Sequence, residues 1–448
     1  MRTIVSFTDF LKKILPSPFT LAVLLTYLVF ALALLLTPNT SKEPHFLLIT
    51  EYWAKGFWEL LSFTIQMILI LVLGYVLALT KPVEAFIEKT TKRINTTASA
   101  AFWVTFLTII TGYLNWGLAL IFGAVFAKKL AEQFAKKGQP FNYPLIGAAG
   151  YTGLLVWHGG LSGSAPLKVA EPGHFLVDKI GIVPLSETIF STLNIALFFT
   201  FLILLPLIMF YLAKKGKDEP VKVNIEKKPE DKDETELPVT IGEKADHSKI
   251  ISWSLAFLFT LAVILTIYKK REAGFMNLNF INFVLFGLGI WLTPNLKSFM
   301  SLVSKSIGAS AGILVQFPLY AGIMGVMKYS GLFMVFTEAF VNVAKPSTLP
   351  LFTFISAGIV NFFVPSGGGQ WAVQGPVIVE AAKQLGVPVS KVIMALAYGD
   401  EWTNMLQPFW ALPLLGITGL KAKDIVPYTF VLFLISGIIF TVYLLLPL

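Results

Sequence analysis

The chain contains no cysteine. That absence excludes disulfides, thiolate nucleophiles and cysteine-ligated metals. The four histidines, His45, His158, His174 and His247, are scattered and show no metal-ligand spacing. Charge is scarce as well: Asp, Glu, Lys and Arg make up 14% of the 448 residues, where a soluble domain carries about 25%. No G-x-x-x-x-G-K-[ST] run is present to cradle nucleotide phosphates, which argues against ATP-driven work by this chain alone. No clear small-x-small cleavage site precedes Pro38, which argues against a cleaved leader. What the chain has instead is apolar length. Apolar residues make up 55% of it and the mean hydropathy is +0.73. Apolar runs of about 20 residues recur from end to end, the length of a membrane-spanning helix. The expected class is an all-α polytopic membrane protein whose large partner is the lipid bilayer and not nucleic acid. The formal charge of +9 fits loops beside an anionic inner leaflet.

One stretch organises the rest. Val360 to Leu414 contains VNFFVPSGGGQWAVQGPVIV and then KVIMALAYGDEWTNMLQPFWALPLL. Both parts are apolar enough for a membrane, yet Pro365 to Gly369 interrupts the first, and Asp400, Glu401, Asn404 and Gln407 interrupt the second. Broken backbone and polar side chains at membrane depth must be buried in protein or line a water-filled cavity. Residues 105–167 carry a similar pattern: Asn115 matches Asn361, and Tyr151 matches Tyr398, at gaps of 36 and 37 residues. Tyr151 lies 15 residues before Pro166, and Tyr398 lies 15 before Pro413. LTPN ends at Asn39 and again at Asn295. Found in one order at matched spacing, these features predict a two-fold repeat, and interrupted segments at corresponding places of two halves point to a transporter binding site.

The chain divides accordingly. Residues 1–18 are expected as an interfacial segment, 19–212 as the first repeat, 213–249 as a cytoplasmic linker, 250–268 as a connecting transmembrane helix, and 277–448 as the second repeat. The linker is charged and proline-bearing, a composition that cannot bury a core. Pro38–Lys55 is expected as a loop, and 82–95 and 332–343 as interfacial helices. The segment around Asn115 fits either one span or a re-entrant hairpin. Basic residues flank it on both sides, Lys81 to Arg93 before and Lys128 to Lys137 after. Both groups prefer the cytoplasm, so the hairpin is expected. With the same reading near Pro365–Gly369, an odd number of crossings precedes the second half. The halves are then inverted in the membrane, each with a hairpin and a broken transmembrane helix, and the N-terminus is cytoplasmic. Lys269, Lys270 and Arg271 fall outside on this map, against the positive-inside rule.

Such a site suits a small carboxylate with a coupling cation. Glycines let backbone approach a ligand, helix N-termini at breaks favour anions, and carbonyl ends favour cations. The substrate-binding candidates are Asn115, Ser162, Ser164, Asn361, Ser366, Gly367, Gly368, Asn404 and Gln407. Thr152, Asp400, Thr403 and His158 form a candidate network for Na+ or H+ as coupling ion, with no other cofactor and no metal site expected. Asp400 stands out, because a buried carboxylate must be paired, ion-bound or protonated. Packing roles compete throughout: glycine-rich membrane stretches also let helices approach, and Asn and Ser also join helices. Trp157, Phe362, Phe363, Trp371, Trp402, Phe409 and Trp410 offer an apolar frame for a short alkyl tail. Asp400 and His158 have no nucleophile or metal beside them in the pattern, so an enzyme is not expected. A dicarboxylate carrier and an uncoupled channel are the alternatives.

The motifs FWELLSFTIQMILI, LNWGLALI, GGLSGSAPL, GILVQFPLYAGI, NFFVPSGGGQWAVQGP and AYGDEWTNMLQPFWALP, in this order along the chain, resemble the bacterial short-chain fatty acid transporter family. The resemblance implies an inner-membrane carrier of short-chain monocarboxylates such as acetoacetate or butyrate. It also implies kinship with a wider ion-transporter superfamily in which inverted repeats, hairpins, homodimers and elevator motion are common. In that family the place of His158 is commonly Gly and that of Glu401 commonly Gln, while Asp400 matches an acidic position.

Overall fold

The computed structural model describes residues 18–39, 42–220, 240–269, 277–361 and 367–446. The expected interfacial segment up to residue 17, most of the charged linker, Lys270, Arg271, Phe362, Phe363 and Ser366 lie outside the described residues. Within them the chain is helical apart from one isolated bridge between Phe141 and Glu219. Six helices are long and apolar enough to cross a membrane.

The first half runs α1 (Pro18–Leu36), α2 (His45–Gly56), α3 (Leu61–Ala78), α4 (Lys81–Thr91), α5 (Thr97–Leu114) and α6 (Trp116–Lys136). It continues as a broken segment of α7 (Tyr143–Ala149), a 3-10 turn at Thr152–Leu155 and α8 (Ser164–Val169), and closes with α9 (Thr192–Lys215). The apolar α10 (Lys249–Lys269) connects to the second half. There α11 (Leu278–Trp291), α12 (Leu296–Ser306), α13 (Ala311–Ser330), α14 (Leu332–Val343), α15 (Leu349–Asn361) and α16 (Gly367–Leu385) follow. A second broken segment has α17 (Val389–Thr403), a 3-10 turn at Asn404–Leu406 and α18 (Pro408–Thr418), and α19 (Ala422–Leu445) closes the chain. Element by element, the order of the first half returns in the second.

Local chemistry sets these boundaries. The Asn115, Asn142, Asn277 and Asn295 side chains each accept a backbone N–H three residues on, capping α6, α7, α11 and α12. The LTPN echo thus marks where a short helix follows the first helix of each half: Asn295 caps α12, and Asn39 donates to the Glu43 carbonyl just ahead of α2. The expected loop at Pro38–Lys55 is corrected here, because its second part is helix α2. Its Gly56 meets Gly325 of α13 so closely that a Cβ on Gly56 would lie 2.5 Å from the Gly325 Cα. Within the expected linker, α9 continues to Lys215 and a capping-boxed helical turn forms at Ile241–Asp246.

The halves are interlocked. Helices α1 and α2 pack on α13 of the other half, and reciprocally α11 and α12 pack on α3. The broken segments exchange their trailing parts as well. Helix α18 lies against α6 of the first half, while α8 lies against α16 and α17 of the second. Ala165 and Val169 of α8 share a buried cluster with Leu349, Trp371, Ile378 and Leu396. The two 3-10 turns therefore meet where the chains cross. By contrast α10 leaves Phe257, Leu258, Leu261 and Ile264 exposed, a surface that suits lipid.

Candidate functional site

The crossing point is built by four interruptions: Asn115 between α5 and α6, residues 156–163 before α8, the end of α15 at Asn361 before α16, and residues 404–407 between α17 and α18. Tyr151, at the first 3-10 turn, donates its hydroxyl to the Asn404 carbonyl at the second (2.9 Å) and ties the two broken segments together.

At the centre His158 from the first half meets Asp400 from the second. The Ala165 backbone N–H points at His158 Nε2 (3.2 Å), and Ser164 Oγ lies 3.1 Å from the same nitrogen. An N–H aimed at Nε2 makes that nitrogen an acceptor, which assigns the proton to Nδ1. Nδ1–H then donates to Asp400 Oδ2 at 2.7 Å. The ring stacks on Trp157, centroids 4.6 Å apart. Glu401 points elsewhere: its Oε2 accepts the His158 backbone N–H at 2.8 Å, and it also takes the Gly159 backbone. His158, Asp400 and Glu401 are all at most 1% exposed.

Asn361 is the second node. Its amide donates to the Asp400 carbonyl (2.7 Å), Thr403 Oγ1 (2.9 Å) and Asn404 Oδ1 (2.9 Å). Its own carbonyl accepts from Gln407 Nε2 at 2.5 Å. Among the described residues Asp400 Oδ1, Asn361 Oδ1, Gln407 Oε1 and Asn404 Nδ2 are buried without a hydrogen-bond partner. A buried unsatisfied polar atom costs about 1–3 kcal/mol, and four of them on neighbouring residues make this centre the candidate site. Gly367 opens α16 against this cluster: a Cβ there would lie 2.7–2.8 Å from His158 Cε1, Ser164 Oγ and Trp157 Cη2. Gly368 is equally crowded, with its Cβ position 2.5 Å from the Phe63 ring.

Not every residue singled out in the sequence lies here. Asn115 accepts from Leu118 N–H (2.7 Å) and donates to the Ile70 carbonyl (3.3 Å), so both ends of its amide are used in holding the break. Ser162 accepts the Trp116 N–H at 3.0 Å and fastens that break to the first broken segment. Thr152 bonds back to the Ala149 carbonyl of its own turn. Trp402 stacks on Phe433 and Phe354 and donates to the Phe433 carbonyl, and Trp371 is fully buried in α16; both pack helices. Trp157, Trp116 and Trp410 instead cluster beside the centre, with centroids 5.2–6.3 Å apart.

Sequence reading passed over two further polar groups. Asn194 of α9 donates to the Gly159 and Ile189 carbonyls and accepts from Tyr398, bracing the first break from behind. Gln66, isolated inside the apolar run of α3, donates to Glu171 and Asn279, and Glu171 pairs with Lys168 at 2.6 Å. A lone Gln amid IQMILILV was the available signal for that one.

Interlocked halves, apolar helices on the outside and a buried polar site between broken helices define a multi-pass membrane transporter. The chain belongs to the short chain fatty acid transporter family, whose profile matches residues 1–447. It is 38% identical over 438 residues to an Escherichia coli K12 protein, covering 97% of each, and 37% identical over 445 residues to one from Haemophilus influenzae, again 97% of each. Both relatives carry the provisional name of short-chain fatty acid transporter, and neither is named as an enzyme. Among solved structures the fold is similar to Neisseria gonorrhoeae MtrF, described as illuminating a class of antimetabolite efflux pumps (TM-score 0.52, 14% identity, 98% of this chain and 96% of that one). It is also similar to the Alcanivorax borkumensis YdaH transporter (TM-score 0.52, 16% identity, 96% and 98%).

Proposed function

We propose that this protein is a secondary carrier of short-chain monocarboxylates, of the acetoacetate and butyrate kind, across the cytoplasmic membrane, and that it is coupled to a cation. The observation that carries this reading is the pair of acid side chains, Asp400 and Glu401, buried at the crossing. Two buried carboxylates, Asp400 and Glu401, face one neutral imidazole and backbone N–H groups, and the orphaned atoms beside them are mainly oxygens. An anionic substrate brought to such a place needs a proton or a sodium ion to offset the repulsion and the cost of burying charge. Coupling then follows from electrostatics: neither ligand occupies the site well without the other.

In this reading the repeats are inverted in the membrane, α5–α6 and α15–α16 are re-entrant hairpins, and the N-terminus is cytoplasmic. In it the hairpins and the exchanged broken segments are taken as one body that moves against α1–α3 and α11–α13. That division favours an elevator motion in which the packed body carries the site between the two faces. The family resemblance favours a homodimer as the working unit; the mass of the protein in detergent decides it.

The test is uptake of radiolabelled butyrate and acetoacetate into proteoliposomes under an imposed proton gradient and, separately, an imposed sodium gradient. Accumulation above the outside concentration under one gradient, abolished by Asp400→Asn, is the expected result. Mere equilibration refutes coupling. No protein-dependent movement of either acid, in vesicles holding folded protein, refutes the substrate class.

A further inference from the structure

Asp400 and Glu401 are neighbours on α17 and keep different company. The Asp400 carboxylate meets the His158 imidazole. The Glu401 carboxylate is held by backbone: Oε2 accepts the His158 N–H at 2.8 Å, and the Gly159 backbone bonds to it as well. The titratable groups that face Glu401 are Asp400 and Tyr398 on its own helix, His158 across the break, and Tyr113 of α5. A cavity of about 10 Å³ lies against Glu401, walled by Tyr113, Gly159, Asn194, Phe198 and Phe201. That is room for one water molecule. Among the described residues that line it there is no lysine or arginine.

The surroundings of Glu401 suit a proton better than a metal cation. Hard cations are held by several oxygens at once, and the oxygens beside Glu401 already accept hydrogen bonds. The Gly159 carbonyl accepts from Asn194 Nδ2 at 2.8 Å, and Asn194 Oδ1 accepts from the Tyr398 hydroxyl at 2.9 Å. The groups aimed at the carboxylate itself are N–H donors, which repel a cation. A proton needs one oxygen and no coordination shell.

We infer that Glu401 carries the coupling proton of this transporter while Asp400 stays ionised against His158, an assignment that rests on the carrier reading above. The step is a proton transfer from water to a carboxylate oxygen: one O–H bond forms and one negative charge is lost. Two acids side by side in a dry place resist being charged together, and the water-sized space adjoins Glu401. Protonation there reaches the substrate in two ways. It removes one of two adjacent negative charges from a site that must receive an anion. It also weakens the acceptor that holds the His158 and Gly159 backbone, and so loosens the segment that places the imidazole.

The experiment is equilibrium binding of radiolabelled butyrate to the purified full chain in sodium-free detergent solution, between about pH 6.5 and about pH 8.5, where butyrate itself stays an anion. When each bound butyrate brings one proton, its Kd rises by up to about tenfold for each pH unit. Glu401→Gln, neutral at every pH, loses that slope. Infrared difference spectra across the same range show the band of a protonated carboxyl group in the wild type that Glu401→Gln lacks, and this measurement needs no butyrate. Where Glu401→Gln fails to fold or to bind, Glu401→Asp decides: the shorter acid keeps the slope and displaces the pH at which it begins, and an unmoved start overturns the inference. A slope that persists in Glu401→Gln puts the proton on another group and overturns it too. So does wild-type binding that ignores pH, or that appears when sodium is added; the carrier reading survives both. Absence of butyrate binding at every pH overturns the substrate class instead, and the infrared band then decides on Glu401: its loss in Glu401→Gln keeps the proton site, and the same band in both proteins overturns it.

Discussion

Truncating His158 to Ala isolates the contact that joins the two halves. Asp400 Oδ2 has His158 Nδ1–H at 2.7 Å, and Asp400 Oδ1 has no partner among the described residues. Removing the imidazole leaves a carboxylate that is 1% exposed with nothing to bind, a situation that costs about 3–5 kcal/mol. The ring also packs on Trp157 and holds Ser164 and Ala165, so the raw loss mixes several contributions. A double-mutant cycle with Asp400→Asn separates them. In the Asp400→Asn background the same truncation strands a neutral amide, at about 1–3 kcal/mol, while the packing loss is unchanged and cancels. The coupling between positions 158 and 400 is therefore about 2 kcal/mol, near a thirtyfold change in the folding equilibrium. Reversible unfolding in mixed micelles of increasing dodecyl sulfate, followed by tryptophan fluorescence, reads it. If His158→Ala costs the same in both backgrounds to within about 0.5 kcal/mol, the imidazole does not stabilise a charged Asp400 carboxylate. The electrostatic argument for a coupling cation then loses its first premise.

Other consequences are more local. Gly367→Ala drives a methyl into His158, Ser164 and Trp157; overpacking of about 1–3 kcal/mol at the centre should abolish butyrate uptake while the protein still folds, and uptake at the wild-type rate would contradict the placement of Gly367. Gly325→Ala meets backbone of Gly56 and Tyr52, which cannot swing aside, so the yield of folded protein by size exclusion should fall sharply, and an unchanged yield would mean that α2 and α13 are not packed as described. Asn361→Ala removes an amide nitrogen whose two N–H groups are shared among three acceptors and should cost about 2–3 kcal/mol in the same micelle assay, more than Thr152→Val, whose hydroxyl serves its own turn. His174 lies in the loop after α8, where Nε2–H donates to the Gly181 carbonyl and Nδ1 accepts the Leu176 N–H. Burial lowers its pKa from the ordinary 6.5, so the unfolded chain takes up the proton first. Stability from this group is whole above pH 6.5 and shrinks as pH falls through 6.5 toward the folded value. Thermal unfolding at about pH 7.5 and about pH 5.5, on either side of that ordinary value, should show a smaller acid loss in His174→Gln than in the wild type, and equal losses would refute the assignment.

The legible part of this molecule is what repeats locally. Apolar runs show the long helices, the LTPN echo marks the start of a short helix in each half, and Gly–Pro interruptions show where α15 gives way to α16 and α17 to α18. The short α2 was invisible as a helix because its sequence, HFLLITEYWAKG, mixes aromatic and polar residues that also suit an interfacial loop. Its helicity comes from packing on α13 through the Gly56–Gly325 contact. The centre was legible as a set of residues and not as contacts. His158 and Asp400 stand 242 positions apart, and no local pattern tells that the broken segments exchange their ends. For the same reason no local pattern tells what Glu401, turned about 100° from Asp400 on its helix, meets; its partner is the His158 backbone N–H of the other half.

The repeat also misleads in an instructive way. Matched by their tyrosines, Asp400 and Glu401 correspond to Gly153 and Leu154 of the first half, so the acids belong to one copy only. Asn115 and Asn361 correspond too, yet they do different work. Asn115 is followed at once by Trp116-Gly117-Leu118, a sequence that restarts the helix, so its side chain is used up as a cap. Asn361, the last residue of α15, turns its amide to Asp400, Thr403 and Asn404, and its oxygen has no partner among the described residues. The repeated order of elements thus accompanies the crossing, and the departures between the two sequences supply the acids. A substitution that restores symmetry should show this: Asp400→Gly with Glu401→Leu, copying the first half, removes both buried carboxylates and the need to neutralise them. The chain should unfold at higher dodecyl sulfate than Asp400→Gly alone, because apolar replacement of a buried charged group is often neutral or stabilising, and it should accumulate neither butyrate nor acetoacetate. Gradient-driven accumulation that survives in this double variant would show that the coupling cation is not held by these acids.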